Sequence, residues 1–181
     1  MVKIVQNGDP VLRDTASPVP VSSIKSAKIK KIISDMKKAL GSQDDGVAIA
    51  APQIGVPMRI FVVSHKVSEQ EHSPEKGPFK DEVFINPVIT ACSGKREKME
   101  EGCLSVRDIY GSTSRYGHAI VEAYNEQGKK ITEEAYGLRA QIFQHETDHL
   151  NGILFTDHAK DLYTYEPEDS DEDVNKNSDE K

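Results

Sequence analysis

Residues 144–152 read Gln-His-Glu-Thr-Asp-His-Leu-Asn-Gly, and they carry a recognisable chemistry. Two imidazoles, His145 and His149, stand four positions apart, with the carboxylate of Glu146 directly after the first. Positions i and i+4 share one helix face, so both histidines can reach a single metal ion. Glu146 then stands beside that ion, where it can take a proton from a bound water. The spacing predicts metal-assisted hydrolysis and leaves the substrate open. Such a short match also occurs on ordinary helix surfaces. Here Leu138 and Ile142 fall on the same face, which should turn it inward, and burying two histidines with a glutamate is costly unless something satisfies them.

A catalytic centre needs a third protein ligand and an open position. A histidine at the spacing of the metzincin proteases would fall on Phe155, and His158 misses that spacing. A downstream glutamate would have to come from the acidic end of the chain, a poor scaffold. The remaining candidate is Cys103 in Glu101-Gly102-Cys103-Leu104-Ser105, placed after a glycine where a strand can approach another element closely. Cys92, in a strand-like context, reads as a small core residue. A third segment, residues 46–55, is dominated by small side chains and contains one amide, Gln53. It fits a tightly packed strand and turn, and equally a backbone wall for an extended peptide with an amide aimed at a reacting oxygen.

The elements that must position these groups follow from periodicity and punctuation. Residues 9–20, with Pro10, Pro18 and Pro20, read as an extended leader. Ile29, Ile32, Ile33, Met36 and Leu40 give an amphipathic helix over 23–40, ended by Gly41, its lysines forming a solvated face. Strands are expected over 59–64, 83–89, 95–101, 118–124 and 130–135, with a turn at 125–128 and a polar surface loop over 65–80 holding His65 and His72. Asn86-Pro87 suggests an edge or a strand end. The last helix spans 138–151, capped by Gly152. The expected class is α+β, with mostly antiparallel sheets packed around a late C-terminal helix carrying the His-Glu-x-x-His motif.

The chain of 181 residues has room for one catalytic domain, 1–164, followed by an acidic tail, 165–181, expected to be disordered. Residues 166–181 hold eight acids and two lysines, so of the formal charge of −7 only −1 falls on the rest. A near-neutral body argues against sequence-specific nucleic-acid binding. No apolar run suggests a signal peptide or a membrane span, and a cytoplasmic protein with reduced cysteines is the expectation.

Taken together and in this order, the three segments resemble those of the peptide deformylases. The family's Glu-Gly-Cys-Leu-Ser and Gln-His-Glu-x-Asp-His-Leu-x-Gly are matched in full at 101–105 and 144–152, and Gly-x-Gly-x-Ala-Ala-x-Gln at 46–53 apart from Ala48. Asp9-Pro10-Val11-Leu12-Arg13 and Phe84-Ile85-Asn86-Pro87 are also similar. Arg107 stands where the family commonly has proline. The resemblance implies removal of the formyl group from N-formylmethionyl nascent peptides, with release of formate. It implies one divalent ion, ferrous iron first with zinc, nickel or cobalt able to substitute, held by Cys103, His145 and His149. It implies Glu146 as acid and base, and an oxyanion site made by the Gln53 amide and the Leu104 N–H. Gly46, Val47, Ala48 and Gly102 are expected along the substrate, with Val47, Leu138 and Ile142 walling the methionine pocket or simply packing the core. A monomer working near the ribosome exit region is the implied setting. The alternatives are a metallopeptidase on the same helix, or a paralogue that binds metal or peptide without turnover.

Overall fold

The structure, a computed structural model, describes residues 2–71 and 78–165. The acidic stretch 166–181 and His72 lie outside the described residues. The chain builds an α+β fold around one antiparallel sheet: β1 (Ala48–Ala50), β2 (Ile60–Val63), β3 (Glu82–Cys103), β4 (Val106–Tyr124) and β5 (Lys130–Tyr136) in that order, with β6 (Lys160–Thr164) paired to β4. Helix α1 (Ala27–Gly41) and helix α3 (Gly137–Leu150) lie on opposite faces. The alternation along β2 shows why. Phe61 and Val63 join Ala140, Ile142 and Phe143 of α3, whereas Ile60 and Val62 join Ile29, Ile33 and Met36 of α1. Phe61 stacks on Phe84 at 4.7 Å, and Phe84 meets Phe143 edge-on at 5.1 Å.

Three expectations need correction. Residues 65–71 form a short helix, α2 (His65–Glu71), inside the stretch read as a loop. It has one core anchor, Val67, and its start is held by side chains: Asp81 Oδ1 accepts from the His65 N–H at 3.0 Å, and Ser64 Oγ from that of Lys66. The strands expected over 83–89 and 95–101 are one long strand, β3, interrupted by register shifts. The edge reading of Pro87 holds, because β2 pairs with β3 only as far as Ile85 and beyond it β4 alone flanks the strand. Pro87 falls within the shift between Ile85 and Val88, where a missing N–H costs no ladder bond. The leader contains a 3-10 turn, Pro10–Leu12, capped by Asp9. Strand β6 was not anticipated at all. No helix among the described residues is long and apolar enough to cross a membrane.

Helix α3 is stopped as Gly152 suggested. Gly152 has φ +73°, its N–H donates to His149 O at 3.2 Å, and the Ile153 N–H donates to Asp148 O at 3.0 Å. A Cβ at Gly152 would overlap the Arg13 carbonyl. Gly152→Ala should therefore lose about 2 kcal/mol or more, measured as a lower urea midpoint, since left-handed backbone alone costs about 1–2 kcal/mol. An unchanged midpoint would mean that the leader and the helix end are not packed as described.

Candidate active site

Cys103 ends β3, where a two-residue turn leads into β4, while His145 and His149 project from successive turns of α3. The ligand atoms of these three residues all lie within 4.8 Å of one another. Cys103 Sγ is 3.3 Å from His149 Nε2, and the imidazole centroids are 4.8 Å apart and nearly perpendicular. A tetrahedral ion with metal–sulfur and metal–nitrogen lengths of about 2.3 and 2.0 Å has sulfur–nitrogen edges of about 3.5 Å, so the spacing fits one ion.

The donor chemistry fits as well. His145 Nδ1 lies 3.0 Å from Glu101 Oε2. This carboxylate fixes the tautomer that leaves Nε2 free to ligate. Glu101 is buried and held by Arg115, with Nε–Oε1 at 2.7 Å and Nη2–Oε2 at 3.0 Å. Arg115 in turn reaches Asp148 at 2.6 Å. Burial alone would raise the pKa of Glu101, but its bonds to His145 and Arg115 hold it well below the carboxylate range. Burial also disfavours charge on His145, yet Cys103, Glu101 and Glu146 around it push its pKa up. His149 is pushed down by burial and by His145 beside it. Two imidazoles and a thiol this close to one another are a donor set suited to a shared cation. His149 differs from His145 in its outer contacts: among the described residues its buried Nδ1 has no hydrogen-bond partner.

Cys103 and His145 open on a cleft of about 260 Å³, with His149 buried behind them; the cleft is lined by Gly46, Val47, Ala48, Gln53, Gly102, Leu104, Leu138, Ile142 and Glu146, among others. The three segments singled out in the sequence thus meet around one space. Glu146 is buried, and among the described residues its Oε2 has no hydrogen-bond partner. Burial, opposed by His145, pushes its carboxyl up to about 7. The Gln53 amide donates to Ser105 Oγ at 3.2 Å and lies 3.5 Å from Cys103 Sγ, while its oxygen accepts from the Ala50 N–H at 2.8 Å. In this state the amide is turned toward the sulfur and the turn.

Leu138 does not face the interior as its helix position suggested. It is 43% exposed in the first turn of α3, at the cleft mouth, whereas Ile142 one turn on is 4% exposed. Ala48 is buried in the core cluster that holds Ile142, Phe143 and Val63, and it also lines the cleft. Arg107 ties the β3–β4 turn to the segment before β1, pairing with Asp45 at 3.3 Å and with Gln43. Sequence reasoning missed the Glu101–Arg115–Asp148 relay. Glu101 and Asp148 stand inside the two matched motifs and could have been queried there, but nothing marked Arg115.

Comparison with known proteins agrees with the geometry. The family model for polypeptide deformylase matches residues 1–164. The chain is 39% identical over 161 residues to the peptide deformylase of Desulforudis audaxviator, covering 89% of this chain and 95% of that one. It is 42% identical over 162 residues to the chloroplastic/mitochondrial peptide deformylase 1A of Arabidopsis thaliana, covering 86% of this chain but only 60% of that longer protein. The Met-Ala-Ser-bound crystal structure of a class I type b peptide deformylase from Acinetobacter baumannii superposes with a TM-score of 0.77 at 31% identity, over 87% of this chain and 98% of that one. With a family model spanning the folded part and relatives of this identity, the chain belongs to the polypeptide deformylase family.

Proposed function

We propose that this protein hydrolyses the formyl amide of N-formylmethionyl nascent peptides, releasing formate. The observation that carries the reading is the buried, unpartnered Glu146 oxygen in a cleft shared with the Cys103–His145–His149 triangle. Those three residues hold one divalent ion, ferrous iron first, with zinc, nickel or cobalt as substitutes. The ion supplies a Lewis acid and lowers the pKa of water in the cleft.

Glu146 takes the proton of the attacking water as its oxygen bonds to the formyl carbon. The Gln53 amide and the Leu104 N–H meet the developing oxyanion, the amide turning from the sulfur to do so. As the carbon–nitrogen bond breaks, Glu146 returns the proton to the methionine nitrogen, and formate leaves. Glu101 keeps His145 in one tautomer throughout.

Gly46, Val47 and Ala48 lead into and form β1, the end strand of the sheet, which supports a role as backbone partner for an extended peptide. Gly102 faces it across the cleft, and Val47, Leu138 and Ile142 wall the methionine side chain. The folded unit is a single catalytic domain, 1–164, acting as a monomer in the cytoplasm where chains leave the ribosome.

The test is the purified protein, prepared anaerobically with ferrous iron, offered formyl-Met, acetyl-Met and free-Met peptides. Formate from the formylated peptide alone is expected. Silence on it from folded, metal-loaded protein refutes the reading. In the same preparation Cys103→Ser should bind the ion much more weakly, and unchanged affinity would remove Cys103 from the ligand set.

A further inference from the structure

Strand β6 leaves an apolar edge beside the cleft that plain packing does not explain. Tyr163 and Tyr165 are 44% and 57% exposed and, two positions apart, turn to the same side, whereas Leu162 between Asp161 and Tyr163 lies against Gly111 on the other. Contiguous exposed apolar groups of this kind mark a contact surface. This one is continuous with the cleft. Tyr110, which lines the cleft, stacks on Tyr163 at 5.8 Å and meets Tyr165 edge-on at 6.2 Å. A Cβ at Gly102 would fall 2.6 Å from the Tyr110 ring, so the ring lies against the strand one residue before Cys103.

The strand is also held in place. Three further cleft residues engage it: Ile109 pairs with Thr164, the Tyr163 hydroxyl donates to Glu100 at 3.0 Å, and the Tyr165 N–H donates to Asp108 O at 2.8 Å. Lys98 and Asp161 pair at 3.0 Å at its start. The rings are therefore presented on a bonded strand.

We infer that Tyr110, Tyr163 and Tyr165 form an aromatic wall that extends the cleft and favours peptides with an aromatic side chain downstream of the formylmethionine. This rests on the deformylase reading above. Ring on ring adds to simple burial, so an aromatic residue should gain more than an aliphatic one of similar size.

The test compares kcat/KM for metal-loaded protein on formyl-Met-X-Ser and formyl-Met-Ala-X, with X as Phe, Leu or Ser. Phe should exceed Ser by about three- to ten-fold in at least one series, with Leu between them. Tyr163→Ala and Tyr165→Ala should bring that ratio toward unity, while Tyr163→Phe, which keeps the ring, should retain it. Equal kcat/KM for Phe and Ser in both series overturns the inference, as does a preference that survives both alanine changes. Should Tyr163→Ala fail to fold, the exposed Tyr165→Ala decides alone. Absence of formate from every peptide would instead refute the deformylase reading.

Discussion

Glu146→Gln should reduce formate release by about 10²–10⁴-fold while leaving the ion bound. The amide has the shape of the carboxylate but cannot take a proton from water or return one to the leaving nitrogen. Metal content should not change, because the proposed ligands are Cys103, His145 and His149 and do not include Glu146. Stability should not fall either. Glu146 is buried with one oxygen unpartnered, and burial already pushes its carboxyl toward neutrality, so a neutral amide removes an unfavourable charge. Formate assay, metal-to-protein ratio and thermal melting on one preparation check all three. Turnover within tenfold of wild type would move the proton transfer to another group.

A second large effect is expected at Glu101, which acts through His145 and Arg115. Glu101→Gln removes one partner of a buried ion pair and leaves Arg115 with Asp148 as its remaining charge partner. Breaking such a pair costs about 3–5 kcal/mol. It also frees His145 from its fixed tautomer, and loss of that kind of outer support weakens metal binding by about 10–100-fold. The pH dependence has a definite sign. The folded state holds Glu101 below its unfolded pKa, so its contribution is fully present above the unfolded value and is lost as pH falls through the acid range. Urea midpoints of wild type and variant should thus differ most near neutrality and converge in acid. A gap independent of pH would show that Glu101 acts by packing rather than by charge.

The contrast between these two residues shows what the sequence could convey. Helical spacing places His145, Glu146 and His149 on one side of α3, and local periodicity alone is enough to read that. Cys103 could be reached because its motif is short and follows a glycine. The Glu101–Arg115 contact depends instead on the register of a long β3–β4 hairpin with several shifts, which no local pattern specifies. Helix α2 was hidden because only Val67 anchors it, and its start is capped by Asp81, far along the chain. Leu138 was misplaced because helix phase says which side a residue faces, not whether that turn lies under the sheet or at the cleft mouth. Ala48 departs from the family's glycine, and it both joins the core cluster and lines the cleft.

If water attacks the formyl carbon, the oxygen of that water must leave in formate. Metal-loaded protein should be given formyl-Met-Ala-Ser in water enriched in heavy oxygen, and both products weighed by mass spectrometry. The prediction is formate carrying one heavy oxygen, together with intact, unlabelled Met-Ala-Ser. Heavy oxygen in a new peptide carboxylate, with the formyl group still on methionine, would contradict it and make this cleft a peptidase site.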